Sequence, residues 1–227
     1  MNELALFAGA GGGILGTGTL GIRTVCAVEL DWYRRCVLTR RQNDGTLGAV
    51  FPIWDDIRTF NGRAWRGRCS FVSGGFPCQA FSKAARGRNI DAKNMWPEMF
   101  RIVNEVEPVY VFAENVSADA IEQAARDCAT MGYKTEMLPL SAADLGADHV
   151  RQRYWLLAYS HDKGELQRTV NAKMAECSEF HEGIWSAFPG ESGVANGDAG
   201  RVERYEATGN AQVPIVAAAA LWSLANA

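Results

Sequence analysis

The chain has 227 residues, 48% of them apolar, and a formal net charge of −3. That size and composition suit one large domain, or one domain with a small appendage, built on a sizeable core. They argue against a generally basic nucleic-acid coat, so any nucleic-acid contact has to use local patches. No stretch approaches the roughly 20 uninterrupted apolar residues of a membrane span, and Met1-Asn2-Glu3 lacks the basic start of a signal peptide. The six cysteines, Cys26, Cys36, Cys69, Cys78, Cys128 and Cys177, form no Cys-x-x-Cys pair. They point away from zinc and from a disulfide framework, and toward a reducing, cytoplasmic setting.

Short apolar runs alternate with helical periods, the pattern of a layered α/β fold. Leu4 to Phe7 reads as a buried strand followed at once by a glycine-rich turn. Val25 to Val28 is a second strand ending on Glu29, and Asp31 is a plausible cap for a helix over Asp31 to Arg41. Phe71 to Ser73 is a short strand leading into Gly74-Gly75. Pro97 to Val106 has the spacing of a helix with proline in its first turn. Val109 to Ala113 is a strong strand ending at Glu114. Ala118 to Met131 is helical, with Gly132 as its C-cap. Tyr154 to Ala158 is a further strand, and Ile215 to Ala225 is a closing alanine-rich helix after Pro214. Between Ser160 and Arg204 the periodicity fades into Gly, Asn, Glu and Ser, which predicts a small irregular appendage. The expected organisation is a main domain over 1–159 plus 206–227, with residues 160–205 set apart.

Five segments carry chemistry. Phe7-Ala8-Gly9-Ala10-Gly11-Gly12-Gly13 lets a backbone approach a ligand closely after the first strand, although such turns also serve only to pack a helix on a sheet. Glu29, closing the next strand, can accept hydrogen bonds from both hydroxyls of a ribose. Asp56 can meet the base of the same nucleoside, or simply cap a turn. In Phe76-Pro77-Cys78-Gln79 a rigid strand end presents one cysteine to a loop, where its thiolate can act as a nucleophile. Glu114 ends a buried strand, where a carboxylate is costly unless it has a partner or a task; the plain alternative is a helix cap. Arg151 and Arg153 precede a strand, and two apart on an extended chain they would face opposite ways. Gly209-Asn210-Ala211-Gln212-Val213-Pro214 begins the last helix.

The ordered set FAGAGGG, VELD, GGFPCQ, FAENV, VRQRYW and GNAQVP resembles the cytosine carbon-5 DNA methyltransferase family, from near residue 4 to near residue 225. Asn94-Met95-Trp96-Pro97-Glu98-Met99 looks like phage or prophage members. The resemblance implies a Rossmann-like, doubly wound methyltransferase sheet with 160–205 as a short target-recognition region. It implies S-adenosyl-L-methionine as cofactor, double-stranded DNA as substrate, and neither metal nor membrane. By the same resemblance Phe7, Gly9, Gly11, Glu29, Asp56 and Asn210 hold the cofactor, and Cys78 is the nucleophile. Glu114, Arg151 and Arg153 hold the cytosine. Gln79, Ser82, Lys83, Arg86 and Arg88, in the basic stretch after the cysteine, contact DNA.

The departures lie in His149, where the family commonly has Gln, in Leu30, where an aromatic residue often stacks on adenine, and in the short, acidic recognition region. That last feature suggests short or relaxed sequence recognition, or a protein partner that completes it. Two rival readings keep part of the pattern. A tRNA cytosine methyltransferase would carry a Cys-Phe-Thr tripeptide, whereas Cys177 is followed by Ser178 and Glu179. A degenerate DNA-binding remnant would have no physical need for Cys78, Glu114 and both arginines. An unrelated dinucleotide-dependent oxidoreductase would explain the first two strands and leave Pro77-Cys78-Gln79 without a role.

Overall fold

Among the described residues, seven strands form one mixed sheet in the order β3-β2-β1-β4-β5-β7-β6. The structure is a computed structural model, and it describes residues 1–77, 94–176 and 212–227. Strands β1 (Asn2–Leu6), β2 (Arg23–Val28), β3 (Ile53–Trp54), β4 (Phe71–Gly75) and β5 (Tyr110–Asn115) run parallel to one another. Strand β7 (Arg153–Tyr159) is antiparallel to both β5 and β6 (Lys134–Leu140). The helices are α1 (Gly12–Thr19), α2 (Trp32–Asn43), α3 (Trp96–Val106), α4 (Ala118–Thr130), α5 (Gly164–Glu176) and α6 (Pro214–Asn226). Among the described residues no helix is long and apolar enough to cross a membrane.

Both faces of the sheet are covered, so its central strands read as continuous apolar runs. All six residues of β5 are buried. One face packs Val72, Val111 and Leu156 against Met99 and Ile102 of α3 and Ile121 and Ala124 of α4. The other packs Phe71, Phe112 and Trp155 against Leu166 and Val170 of α5 and Ala217 and Leu221 of α6. Local signals set the helix ends. Asp31 accepts a hydrogen bond from Arg34 N at 2.8 Å, Pro97 lies in the first turn of α3, and Gly132 leaves α4 at φ 84°. The doubly wound α/β fold expected from the sequence is therefore present.

Strand β6 and helix α5 are among the elements that escape the sequence pattern. The edge strand β6 carries Lys134, Glu136 and Pro139. These residues blunt an edge against pairing with another chain and also hide the apolar alternation. Helix α5 lies in the stretch read as irregular. It buries only Leu166 and Val170 and leaves the rest half-buried or exposed, too narrow a stripe to register as a period.

Helix α1 is improbable by propensity, since glycine is a poor helix former and Gly12, Gly13, Gly16 and Gly18 all lie within it. Tertiary packing overrides this. A Cβ on Gly16 would sit 2.6 Å from the Pro214 carbonyl oxygen and 2.8 Å from the Ala217 Cβ, so α6 can cross α1 only over a bare backbone. Beneath it lies a buried carboxylate, Glu3. Its oxygens accept hydrogen bonds from Ser73 Oγ at 2.6 Å, Thr24 Oγ1 at 2.5 Å and Thr17 Oγ1 at 2.9 Å. Burial pushes the Glu3 carboxyl above its usual range, and the three hydroxyls pull it back. The network ties α1, β2 and β4 together behind the strand ends.

Candidate active site

The strand order reverses between β1 and β4, and in open α/β sheets that switch point opens a crevice at the carboxyl ends of the strands. A cleft lies there, lined by Phe7, Gly9, Gly12, Gly13, Ser73, Gly75, Glu114 and Gln212 among others. It brings the glycine turn and the end of β5 to one place.

The turn is built from unusual backbone. Phe7 holds φ 52°, a conformation that side chains rarely adopt, and Gly9 and Gly11 hold φ 56° and 90°. A Cβ on Gly9 would meet nothing within 4 Å, so the backbone there is open to a ligand. Glu29 fastens this turn. Its Oε2 accepts from Gly9 N at 2.7 Å and its Oε1 from Asp31 N at 2.9 Å, and Arg34 stands 3.9 Å away. Each carboxylate oxygen keeps a further lone pair, so bracing the turn and accepting from a diol are compatible. Asp56 falls two residues beyond β3, where it caps a short 3-10 turn by accepting from Arg58 N at 3.0 Å and pairs with the Arg58 guanidinium at 2.7 Å. The hydrogen bonds from Arg58 hold its carboxyl below the usual range.

Across the cleft, Glu114 is buried at the end of β5 with both oxygens engaged. Arg153 Nε stands 2.9 Å from Oε1, and Gln212 Nε2 donates to Oε2 at 3.2 Å. Burial pushes its carboxyl above the ordinary range, while Arg153, Gln212 and Arg151 draw it back. Glu114 therefore does not serve as a cap; Ser117 accepts from Ala120 N and caps α4. The extended backbone assumed for the two arginines is not what the structure has. Arg151 precedes β7 and holds φ 34° rather than an extended conformation. Both guanidinium groups act on Glu114 electrostatically, and burial and Arg153 weigh against the charge on Arg151.

The dipeptide that delivers Cys78 is held on three sides. Asn115 Nδ2 donates to the Phe76 carbonyl at 2.8 Å, and Met95 N donates to the Pro77 carbonyl at 3.0 Å. The Phe76 ring lies 5.1 Å from the Trp96 ring, whose Nε1 donates to Asp127 of α4 at 2.7 Å. Cys78, Gln79, Ser82, Lys83, Arg86, Arg88 and Asn210 lie outside the described residues.

Two site residues were not singled out from sequence. Asn115 stands inside the quoted Glu-Asn-Val motif, and its neighbour to Glu114 was a usable signal. Gln212 had none. Its carbonyl oxygen would lie 2.0 Å from a Cβ on Gly12, its Oε1 2.2 Å from one on Gly13, and its Nε2 2.9 Å from one on Gly75. Those glycines make a seat for Gln212, a purpose that glycine spacing does not reveal.

Comparison with known proteins agrees with this geometry. The profile of the C-5 cytosine-specific DNA methylase family matches residues 1–214. The chain is 29% identical over 169 residues to the type II methyltransferase M.NgoMIV of Neisseria gonorrhoeae, covering 70% of this chain and 52% of that protein. It is 26% identical over 232 residues to M.FnuDI of Fusobacterium nucleatum, covering 91% and 62%. Among solved structures it superposes on the Dnmt2 methyltransferase of S. pombe with a TM-score of 0.56 and 21% identity, over 71% of this chain and 52% of that one. A prophage-encoded Escherichia coli protein described as a DNA modification methyltransferase gives a TM-score of 0.55 and 24% identity, over 70% and 46%. These structural likenesses establish the fold, a Rossmann-like methyltransferase sheet, and the chain spans about half the length of the curated relatives it matches. On the extent of the family match, the chain belongs to the C-5 cytosine-specific DNA methylase family.

Proposed function

We propose that this chain transfers a methyl group from S-adenosyl-L-methionine to carbon 5 of a cytosine in double-stranded DNA. The observation that carries the reading is one cleft at the switch point: it places a buried, doubly held Glu114 opposite an open glycine turn, with the strand end that delivers Cys78 alongside. The donor set fits the cofactor. The Gly9 backbone is bare, α1 presents its N terminus to the cleft, and Glu29 keeps lone pairs for hydroxyls. Phe7, Gly9, Gly11, Glu29, Asp56 and Asn210 would hold it. When bound, the cofactor supplies an electrophilic methyl on a sulfonium.

Carbon 5 of an aromatic pyrimidine is a poor nucleophile. The Cys78 thiolate adds to carbon 6, forming a sulfur–carbon bond and moving the ring π pair onto carbon 5. Glu114 hydrogen-bonds or protonates the ring nitrogen and holds the exocyclic amine, stabilising the developing charge. Arg153 braces Glu114, and Arg151 and Arg153 face the cytosine carbonyl. Carbon 5 would take the methyl group, whose bond to sulfur breaks to leave a neutral thioether; the carbon-5 proton then passes to water, the ring nitrogen returns its proton to Glu114, and the re-forming ring double bond expels the Cys78 thiolate. None of these atoms is reachable inside a stacked duplex, so the base is flipped out, at a cost of a few kcal/mol. Gln79, Ser82, Lys83, Arg86 and Arg88 contact the DNA backbone around it. Residues 160–205 supply target recognition, with a protein partner completing it where that short segment falls short.

Bisulfite sequencing of DNA from cells expressing the chain tests activity and target together. Protected cytosines in a recurring context support the reading. DNA indistinguishable from that of cells expressing Cys78→Ala counts against it.

A further inference from the structure

We propose that Gln212 is a positioning residue for Glu114: its side-chain amide follows the carboxyl through both protonation states and keeps it aimed at the base. The inference rests on the methyltransferase reading above.

Gln212 reaches the site from the segment just before α6, far along the chain from every other residue that touches Glu114. Its Nε2 donates to Glu114 Oε2 at 3.2 Å while Arg153 takes Oε1 at 2.9 Å. Two donors from two separate elements fix the plane of the carboxyl. The seat is close-fitting, since any side chain at Gly12, Gly13 or Gly75 would collide with Gln212. A residue held by bare backbone at the start of α1 and the end of β4 is fixed in place, and so is the group it holds.

The chemistry asks for a partner of this kind. Glu114 must give a proton to the ring nitrogen, or share one with it, and then recover it. An ionised carboxylate only accepts hydrogen bonds, whereas a protonated one must also donate. Arg153 and Arg151 can donate to either form but cannot accept a hydrogen bond from the acid's O–H. An amide serves both, donating through Nε2 to the carboxylate and, after a half-turn about its last bond, accepting through Oε1 from the acid. The charged groups acting on Glu114 among the described residues are Arg153 and Arg151. The glycine turn from Phe7 to Gly13 and the end of β4 contribute no titratable side chain. Gln212 is thus the uncharged member of the set that can follow the proton.

Gln212→Met keeps the shape and removes both functions; Gln212→Glu keeps the shape and opposes the ionised carboxylate. In the full chain, the carboxyl carbon of Glu114 is titrated by nuclear magnetic resonance, and methyl transfer and cofactor affinity are measured in parallel. Removing the donor should move the Glu114 midpoint to higher pH in Gln212→Met, and further in Gln212→Glu. The turnover number should fall about tenfold or more, while the dissociation constant for S-adenosylmethionine stays within about twofold. In a Glu114→Gln background, Gln212→Met should have no further effect on turnover. An unchanged Glu114 midpoint in both variants overturns the inference, whatever the activity. Wild-type protein without methyl transfer overturns the underlying reading instead, and the titration still reports on the pair.

Discussion

Gly12 and Gly13 are adjacent, yet the structure predicts opposite genetic behaviour for them. An added Cβ at Gly12 would lie 2.0 Å from the main-chain carbonyl oxygen of Gln212, while one at Gly13 would lie 2.2 Å from the side-chain Oε1 of the same residue. Each contact has to open by more than an ångström to become ordinary. For Gly13→Ala, Gln212 relieves the clash by leaving its seat, at the expense of the Glu114 hydrogen bond. Overpacking of this kind costs about 1–3 kcal/mol, offset by about 0.5–1 kcal/mol of improved helix preference. The net loss is about 0–2.5 kcal/mol, or up to roughly 10 °C in melting temperature for a domain of this size. Truncating Gln212 to alanine removes Oε1. Gly13→Ala should then become neutral or mildly stabilising, a coupling of about 1–2 kcal/mol in a double-mutant cycle. Gly12→Ala should remain costly in both backgrounds, because truncation leaves the main-chain oxygen in place. Urea denaturation of wild type, the three single variants and the two doubles supplies all the numbers. A Gly13–Gln212 coupling below about 0.5 kcal/mol refutes the seat, as does a Gly12→Ala cost that vanishes with Gln212→Ala.

Other consequences are as direct. Glu29→Ala removes a carboxylate that holds Gly9 N at 2.7 Å and, by the proposed role, the ribose; S-adenosylmethionine affinity measured by calorimetry should fall about tenfold or more. Neutralising Lys83, Arg86 and Arg88 together should weaken DNA binding and flatten its salt dependence by about three phosphate contacts; an unchanged slope would place the contacts elsewhere. Glu3 is held above its usual range in the folded protein, so the folded state binds more protons than the unfolded one above the ordinary glutamate range. Its contribution to stability is full below the unfolded value and is lost as pH rises through the folded value. Wild type should therefore lose ground to Glu3→Gln between acidic and neutral pH in urea melts, and a gap that widens the other way contradicts the assignment.

Much of this site was readable because its residues stand at strand ends. Apolar runs locate β2 and β5, and a run that stops at a carboxylate places Glu29 and Glu114 without any tertiary information. The hidden parts depend on the fold closing. Strand β6 is an edge, and Lys134 and Pro139 suit an edge while masking its period. Arg151, whose charge acts on Glu114, holds a φ of 34°, which no local sequence rule requires of arginine. The role of Gly12, Gly13 and Gly75 is set by Gln212, which meets them only after α6 crosses α1. Glycine spacing suggested a ligand there, and for Gly9 alone is the space above the backbone open.

The account turns on Cys78 as the nucleophile toward cytosine. The direct measurement is incubation of the chain and S-adenosylmethionine with duplex DNA carrying 5-fluorocytosine at the methylated position, followed by denaturing electrophoresis and mass mapping of the adduct. Fluorine at carbon 5 blocks the final elimination, so a denaturant-resistant complex should accumulate, with the modified peptide containing Cys78 and no complex from Cys78→Ala. An adduct on another residue, or methylated cytosine produced at the wild-type rate by Cys78→Ala, contradicts it.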